Sequence, residues 1–381
     1  MTKSCTALLF FILCAVPLWA TGPSGFDTQD SAKNNTEPLA AAAPPVAMAA
    51  PHKVVAEPFV LDKKTLQTLQ SGDDIDKQVL LAKAAQAVSL HIDSCVLPEN
   101  TKALLSPFAK VRELVMRNMG MGYISPKRLP QLPCKAKLET LGLCGMCFER
   151  ADNLHMYPNV HTLKLNGFWF KEDPILPAVA ARFEPLASLH NLRTFHRYTR
   201  CDLKLDDPQS AQVQIFIRVI QNNSNLEDFY YSGCLAPNLL DALTPVPLRK
   251  LTLRNARLDD VGLARLPIQW LDSLNLFNNV LISLAPLTGS PVRVLNLSCN
   301  RQLDDRLAHV VCTMPHLKKL SLMSCDLTDD QVKPLLALAE KLTFLNLADN
   351  RQLSAEMRAQ LQETFGDALS FEWDDDLYQP F

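Results

Sequence analysis

Cys144-Gly145-Met146-Cys147 has the spacing of a thiol–disulfide pair or of half a zinc site, and Cys134, His155 and His161 lie near enough in sequence to supply further ligands. Thiolate and imidazole donors at that spacing could hold a tetrahedral ion or cycle a disulfide. Nucleophilic chemistry has less support, because the 8 His are scattered with no Ser or Cys partner at a recognisable motif. Whether the Cys and His side chains converge depends on the elements that carry them.

Those elements follow a repeated phrase. Leu317-x-x-Leu320-x-Leu322-x-x-Cys325-x-Leu327 and Leu342-x-x-Leu345-x-Leu347-x-x-Asn350 place alternate Leu on one face of a short strand and end it in a turn residue. Reading toward the N-terminus, the phrase returns from Val292, Leu271, Leu248 and Leu226, then in a degenerate copy near Leu192 and Phe195. Val160, Leu138, Val111 and Ala87 open the remaining copies, so that eleven are counted in all. The chain resembles the leucine-rich-repeat family between about Ala87 and Gly366. Val332, Leu335, Leu336 and Leu338 after Thr328-Asp329-Asp330 have helical spacing behind a cap, as do the residues after Asp259, Asp304 and Ser354. Strand followed by short helix is similar to the ribonuclease-inhibitor-like or cysteine-containing repeats.

The resemblance implies an α/β solenoid with a parallel sheet on its concave face and short helices on the convex face. No repeat can enclose a core alone, so each must cover its neighbour's Leu residues. The turn residue, Asn or Cys at Cys95, Cys234, Asn279, Asn300, Cys325 and Asn350, is expected to be a buried structural position. On this frame Cys144 falls on an outward strand position and Cys147 beyond the same turn, so the solenoid dictates their spacing and no metal or cofactor is expected. No Cys is followed two positions later by Asp, the nucleophile pattern of repeat-bearing ubiquitin-ligase effectors, and Phe59 to Ala87 lacks the Leu-Pro opening of an F-box. The chain is expected not to be an enzyme.

Around the repeats, the sequence divides into a signal peptide (1–20), an Ala/Pro-rich disordered tether (21–57), a helical N-terminal cap (58–86), the repeats (87–366), and a C-terminal cap with an acidic tail (367–381). Lys3, the apolar run Ala7–Val16 and Ala20 carry the signal reading, which makes the protein secreted or periplasmic; without a signal it would be cytoplasmic. Two longer repeats, Phe170–Leu189 and Asp202–Asn225, depart from the period; Val213, Ile217 and Ile220 suggest a covering helix in the second. Of 11 Cys, two lie in the signal, and Cys95, Cys234 and Cys325 are too far apart to pair with one another, so buried free thiols are expected. A formal net charge of -2 and 48% hydrophobic residues describe a folded domain with no advertisement for nucleic acid, and no run is long enough to span a membrane. Three Asn-x-Ser/Thr sequons read as chance.

Within the phrase, the residue between the last two Leu points away from the core, giving a column His91, Val115, Gly142, Lys164, a poorly aligned position near His196, then Tyr230, Thr252, Asn275, Asn296, Ser321 and Asn346. A second column includes Tyr198, Arg254, Phe277 and Met323. Exposed aromatics and Arg are the residues that protein partners favour, so Tyr198, Tyr230, Arg254 and Phe277, with Asn275, Asn296 and Met323, are the candidate binding residues. At ~4.8 Å per strand the face extends roughly 50 Å, a fit for a protein or peptide. The resulting expectation is a monomeric, exported, non-catalytic module binding a protein or peptide on its concave face; the alternative is an intracellular or host-directed adaptor that recruits a target to cellular machinery.

Overall fold

The computed structural model describes residues 57–95, 97, 101–117, 129–144, 154–166, 184–198 and 211–372. The signal and nearly all of the tether, the side chain of Cys144, Cys147, most of Phe170–Leu189, residues 202–210 and the acidic tail from Trp373 lie outside them. The chain divides into two compact units, 1–54 and 55–381, and the second holds every described residue.

Strand-period Leu pairs produce thirteen strands among the described residues: β1 (Phe59–Leu61), β2 (Ser89–Asp93), β3 (Glu113–Arg117), β4 (Thr140–Cys144), β5 (Thr162–Asn166), β6 (Thr194–Tyr198), β7 (Asp228–Ser232), β8 (Lys250–Arg254), β9 (Ser273–Asn275), β10 (Val294–Asn296), β11 (Lys319–Ser321), β12 (Phe344–Asn346) and β13 (Leu369–Ser370). Each pairs in parallel with the next in chain order, making one open sheet. The sheet is two strands longer than the eleven repeats. Phe59–Leu61 is too short to carry a repeat, yet Leu61 is fully buried and pairs with Ile92, so the N-terminal cap adds a strand ahead of its helices at Lys63–Ser71 and Asp74–Gln86.

The inward Leu residues form one continuous apolar spine from Leu61 to Phe365, shared by successive repeats. After β2 and β7–β12 the chain turns through a positive-φ residue just before the buried Asn, Cys or Ala. Ser94, Asn255, Asn278, Cys299, Ser324 and Asp349 have φ between 51° and 64°. Asn, Asp and Ser can bear that conformation through local hydrogen bonds, and Gly233 takes the same place without a side chain.

Behind the strands, helices start where acceptor side chains allow. Asp259 accepts from Gly262 N–H at 2.8 Å, Ser354 from Met357 N–H at 3.1 Å, and Gln331 reaches back to Thr328 N–H at 3.0 Å. Asp304 departs from the expected cap: it accepts from Arg306 N–H, and Arg306 itself precedes the helix Leu307–Thr313. The acid after a cap has another task, stitching repeats together. Asp260 accepts from Ile282 and Ser283 N–H, and Asp329 from Ser354 N–H, each in the following repeat. The longer helix Ala211–Gln221 buries Val213, Phe216, Val219 and Ile220 and sets Phe216 edge-on to Phe195, while Ile217 is half-buried.

Candidate binding surface

The outward column predicted from the repeats is in unbroken register from Val60 through His91, Val115, Gly142, Lys164, His196, Tyr230, Thr252, Asn275, Asn296, Ser321 and Asn346 to Ser370. The poorly aligned position of the sequence pattern is His196, which pairs with Lys164 on one side and Tyr230 on the other. In the second column Tyr198 stands beside Ser232, and Ser232 beside Arg254.

Four of the candidates gather. The Tyr230 ring lies 5.5 Å from His196 and 6.4 Å from Tyr198, centroid to centroid, and the Arg254 guanidinium sits 4.6 Å above Phe277. His196 Nε2 is 3.1 Å from Asp228 Oδ1, a pairing absent from the sequence reading. Burial pushes the Tyr230 phenol up from its ordinary range, and the neighbouring Arg254 opposes that shift. The group is a continuous aromatic and cationic run across β6–β9.

Exposure is where the expectation fails. Tyr230, Arg254, Phe277, Asn296 and Met323 are buried, while Tyr198 and Asn275 are half-buried. Large side chains in the same register on strands ~4.8 Å apart lie flat against one another and hide each other's flanks. Asn275 and Asn296 also fold onto their own backbone, accepting from Phe277 N–H at 3.1 Å and Ser298 N–H at 2.9 Å. Met323 joins Phe277 and Ala348 in a small apolar cluster separate from the spine.

The turn positions divide by chemistry. Asn279 accepts from Ala256 and Leu258 N–H and donates to the Leu253 and Leu276 carbonyls, tying its repeat to the one before. Asn300 and Asn350 make the same kind of bridge. Cys supplies the donor half alone: Cys95 Sγ reaches the Leu61 carbonyl at 3.2 Å and Cys325 Sγ the Leu297 carbonyl at 3.3 Å. Asn223, at the end of the long helix, acts similarly toward Leu192 N–H and the Leu189 carbonyl, which the repeat phrase did not reveal.

Cys234 is disulfide-bonded. Cys95 and Cys325 remain thiols. Burial raises the Cys95 thiol to about 11 and Cys325 to about 12. Both should therefore resist alkylation by iodoacetamide at pH 8 in the folded protein and react on unfolding, read by peptide mass. The folded thiol keeps its proton to higher pH than the unfolded one. The Cys325 contribution to stability is thus intact below its ordinary 9.0 and lost as pH rises toward about 12.

Of the residues that could have made a metal site, Cys134 is buried, His155 is exposed and His161 faces Glu139 at 3.9 Å. No group of three His, Cys, Asp or Glu side chains converges among the described residues. Nor is any described helix long and apolar enough to cross a membrane.

Comparison with known proteins agrees with the geometry. A family model described as Leucine Rich repeat matches residues 313–336. The fold is similar to a chain in the crystal structure of the yeast Rad7 and Elc1 complex, with 13% identity, 75% of each chain covered and a TM-score of 0.50. It is also similar to a leucine-rich-repeat protein of Leptospira interrogans, with 13% identity, 77% of this chain and 92% of that one covered, and a TM-score of 0.35. No curated protein matches the chain by sequence. With the phrase in register on consecutive parallel strands and its Leu residues in one shared spine, the chain folds as an α/β leucine-rich-repeat solenoid.

Proposed function

We propose that this protein is an exported, non-catalytic binding module that takes a protein or peptide on the open face of its sheet, centred on His196, Tyr198, Tyr230, Arg254 and Phe277. The observation that carries the reading is the contiguous aromatic and cationic run across β6–β9. Side chains held by their neighbours before binding lose little freedom on contact, and Tyr and Arg are the residues on which binding energy concentrates. The yeast chain of similar fold belongs to a complex of two proteins, Rad7 and Elc1.

Export is supported by the apolar run Ala7–Val16 and by the disulfide at Cys234, a bond that persists in oxidising compartments. Intact mass of the mature protein should lack residues 1–20 and rise by two hydrogens for each disulfide reduced. A mature chain that keeps residues 1–20 would move the reading to an intracellular adaptor. For the surface, Tyr198→Ala combined with Tyr230→Ala is expected to weaken capture of the partner about 30-fold, equivalent to ~2 kcal/mol. Undiminished capture by a variant with the native circular dichroism spectrum removes this surface from consideration.

A further inference from the structure

The residues that lead into the strands form a row of their own along one rim of the sheet. Glu139 N–H donates to the Arg112 carbonyl, Glu227 to that of Arg193 and Asp272 to that of Arg249, and the row runs on through Arg293 to Lys318. Neighbours in it therefore stand about one strand spacing apart, ~4.8 Å. Their charges alternate and pair: Arg112 with Glu139 at 2.8 Å, Arg193 with Glu227 at 3.6 Å and Arg249 with Asp272 at 3.1 Å. Each of these cations is offset by the acid of the following repeat.

At Arg293 the alternation stops. Its next neighbour in the row is Lys318, whose N–H donates to the Arg293 carbonyl at 2.8 Å, and Lys319 follows as the first residue of β11. All three residues are exposed. Among the described residues none of them has an acidic partner: Lys318 Nζ donates to the Lys341 carbonyl at 3.3 Å, and Asp272, on the other side of Arg293, is already engaged by Arg249. Like charges on adjacent strands are destabilising, so folding itself gives no reason for this cluster. Beside it Val294, paired in register with Lys319, is apolar and yet 39% exposed.

Uncompensated cations around an exposed aliphatic residue are complementary to a ligand that brings carboxylates and an apolar side chain together. The row also limits the ligand's length. A polyanion laid along it would run onto Asp272 one strand beyond Arg293, so the closely spaced phosphates of a nucleic acid fit poorly and a short acidic segment fits well.

We propose that the rim at β10–β11 docks an acidic segment of a protein, with Arg293, Lys318 and Lys319 on its carboxylates and Val294 against an apolar neighbour. The site lies apart from the aromatic run across β6–β9 and stands without it.

Binding of a labelled, end-blocked peptide of aspartates flanking one leucine, followed by fluorescence anisotropy on the full chain, tests the site. Lys318→Glu combined with Lys319→Glu should weaken binding at least ~10-fold. Arg112→Glu combined with Arg193→Glu makes the same change of net charge at cations that the row already offsets, and should alter binding less than about 2-fold. The first variant should melt no lower than the parent, because Lys318→Glu gives Arg293 the acidic neighbour that Arg112, Arg193 and Arg249 have. If it does melt lower, Arg293→Gln with Lys319→Gln decides, with the same expectation for binding. Equal weakening in the two charge-reversed variants means that the peptide reads net charge alone and overturns the proposal, as does a parent that fails to bind it. Tighter binding of a single-stranded oligonucleotide of equal charge, lost in the same variant, overturns it in favour of nucleic acid. Tyr198 and Tyr230 are intact in every variant, so failure here is separate from failure of the partner surface proposed above.

Discussion

Asn350→Ala is expected to lower the unfolding free energy by about 3 to 5 kcal/mol, because one side chain satisfies four buried backbone groups and each left unpaired costs about 1 to 3 kcal/mol before relaxation. Asn350 Oδ1 accepts from Cys325 and Leu327 N–H, both at 3.1 Å, and Nδ2 donates to the Leu322 carbonyl at 2.8 Å and to that of Leu347 at 3.0 Å. The residue is 0% exposed, so water does not replace the lost bonds. Two of those groups belong to the turn of the preceding repeat, and the damage falls on the interface that a solenoid relies on. The C-terminal repeats are then expected to unfold in a separate, earlier transition, with amide exchange accelerated first at Cys325 and Leu327. Asn350→Cys should be milder, since the thiol keeps a carbonyl bond as Cys325 does with Leu297. Denaturant unfolding followed by circular dichroism gives the difference, and a loss under 1 kcal/mol for the alanine variant contradicts the bridging role.

The recurrence of that bridge explains why so much of the fold was legible in the sequence. Period-two Leu pairs and an Asn or Cys three residues after the last Leu set the strand, the inward face and the register together, so the outward column from His91 to Asn346 follows from residue order alone. Three things escaped that pattern. Phe59–Leu61 pairs at the sheet edge with no phrase behind it, because a terminal strand needs one buried residue and takes the rest of its partners from β2. The left-handed residue after β2 and β8–β12 is Ser, Asn, Cys or Asp, types that a repeat phrase does not flag, since what they share is a backbone angle. Exposure of the candidate residues was misjudged for a different reason. Outward direction follows from strand geometry, whereas accessibility follows from the size of neighbours several tens of residues away: Tyr230 is hidden by His196 and Tyr198, and Arg254 lies on Phe277.

Arg197 illustrates the same limit and leads to the second large effect. A charged residue between His196 and Tyr198 invites an outward reading, yet alternation along β6 turns His196 and Tyr198 outward and sends Arg197 into the spine, where it is 2% exposed. Its guanidinium sits 4.5 Å from the Tyr231 ring centroid and 5.2 Å from that of Phe216, in a row where β5 and β8 place Leu165 and Leu253. Contact with two ring faces stabilises a desolvated cation, and the side chain has further partners besides. Arg197→Ala removes the stem and the cation together and leaves a cavity between Phe216 and Tyr231; a loss of about 3 to 5 kcal/mol is expected. Arg197→Leu restores the aliphatic residue that neighbouring repeats use and should recover most of this, ending within about 1.5 kcal/mol of the parent. The pair separates packing from charge: equal losses in the two variants would mean that the cation itself, and not the volume, holds the site together. Because β6 presents His196 and Tyr198 on its other face, the alanine variant should also blur the aromatic run and weaken partner capture, while the leucine variant keeps it. A leucine variant that folds as stably as the parent and still loses capture would place Arg197 in the recognition chemistry itself, against the strand-anchoring role argued from its burial.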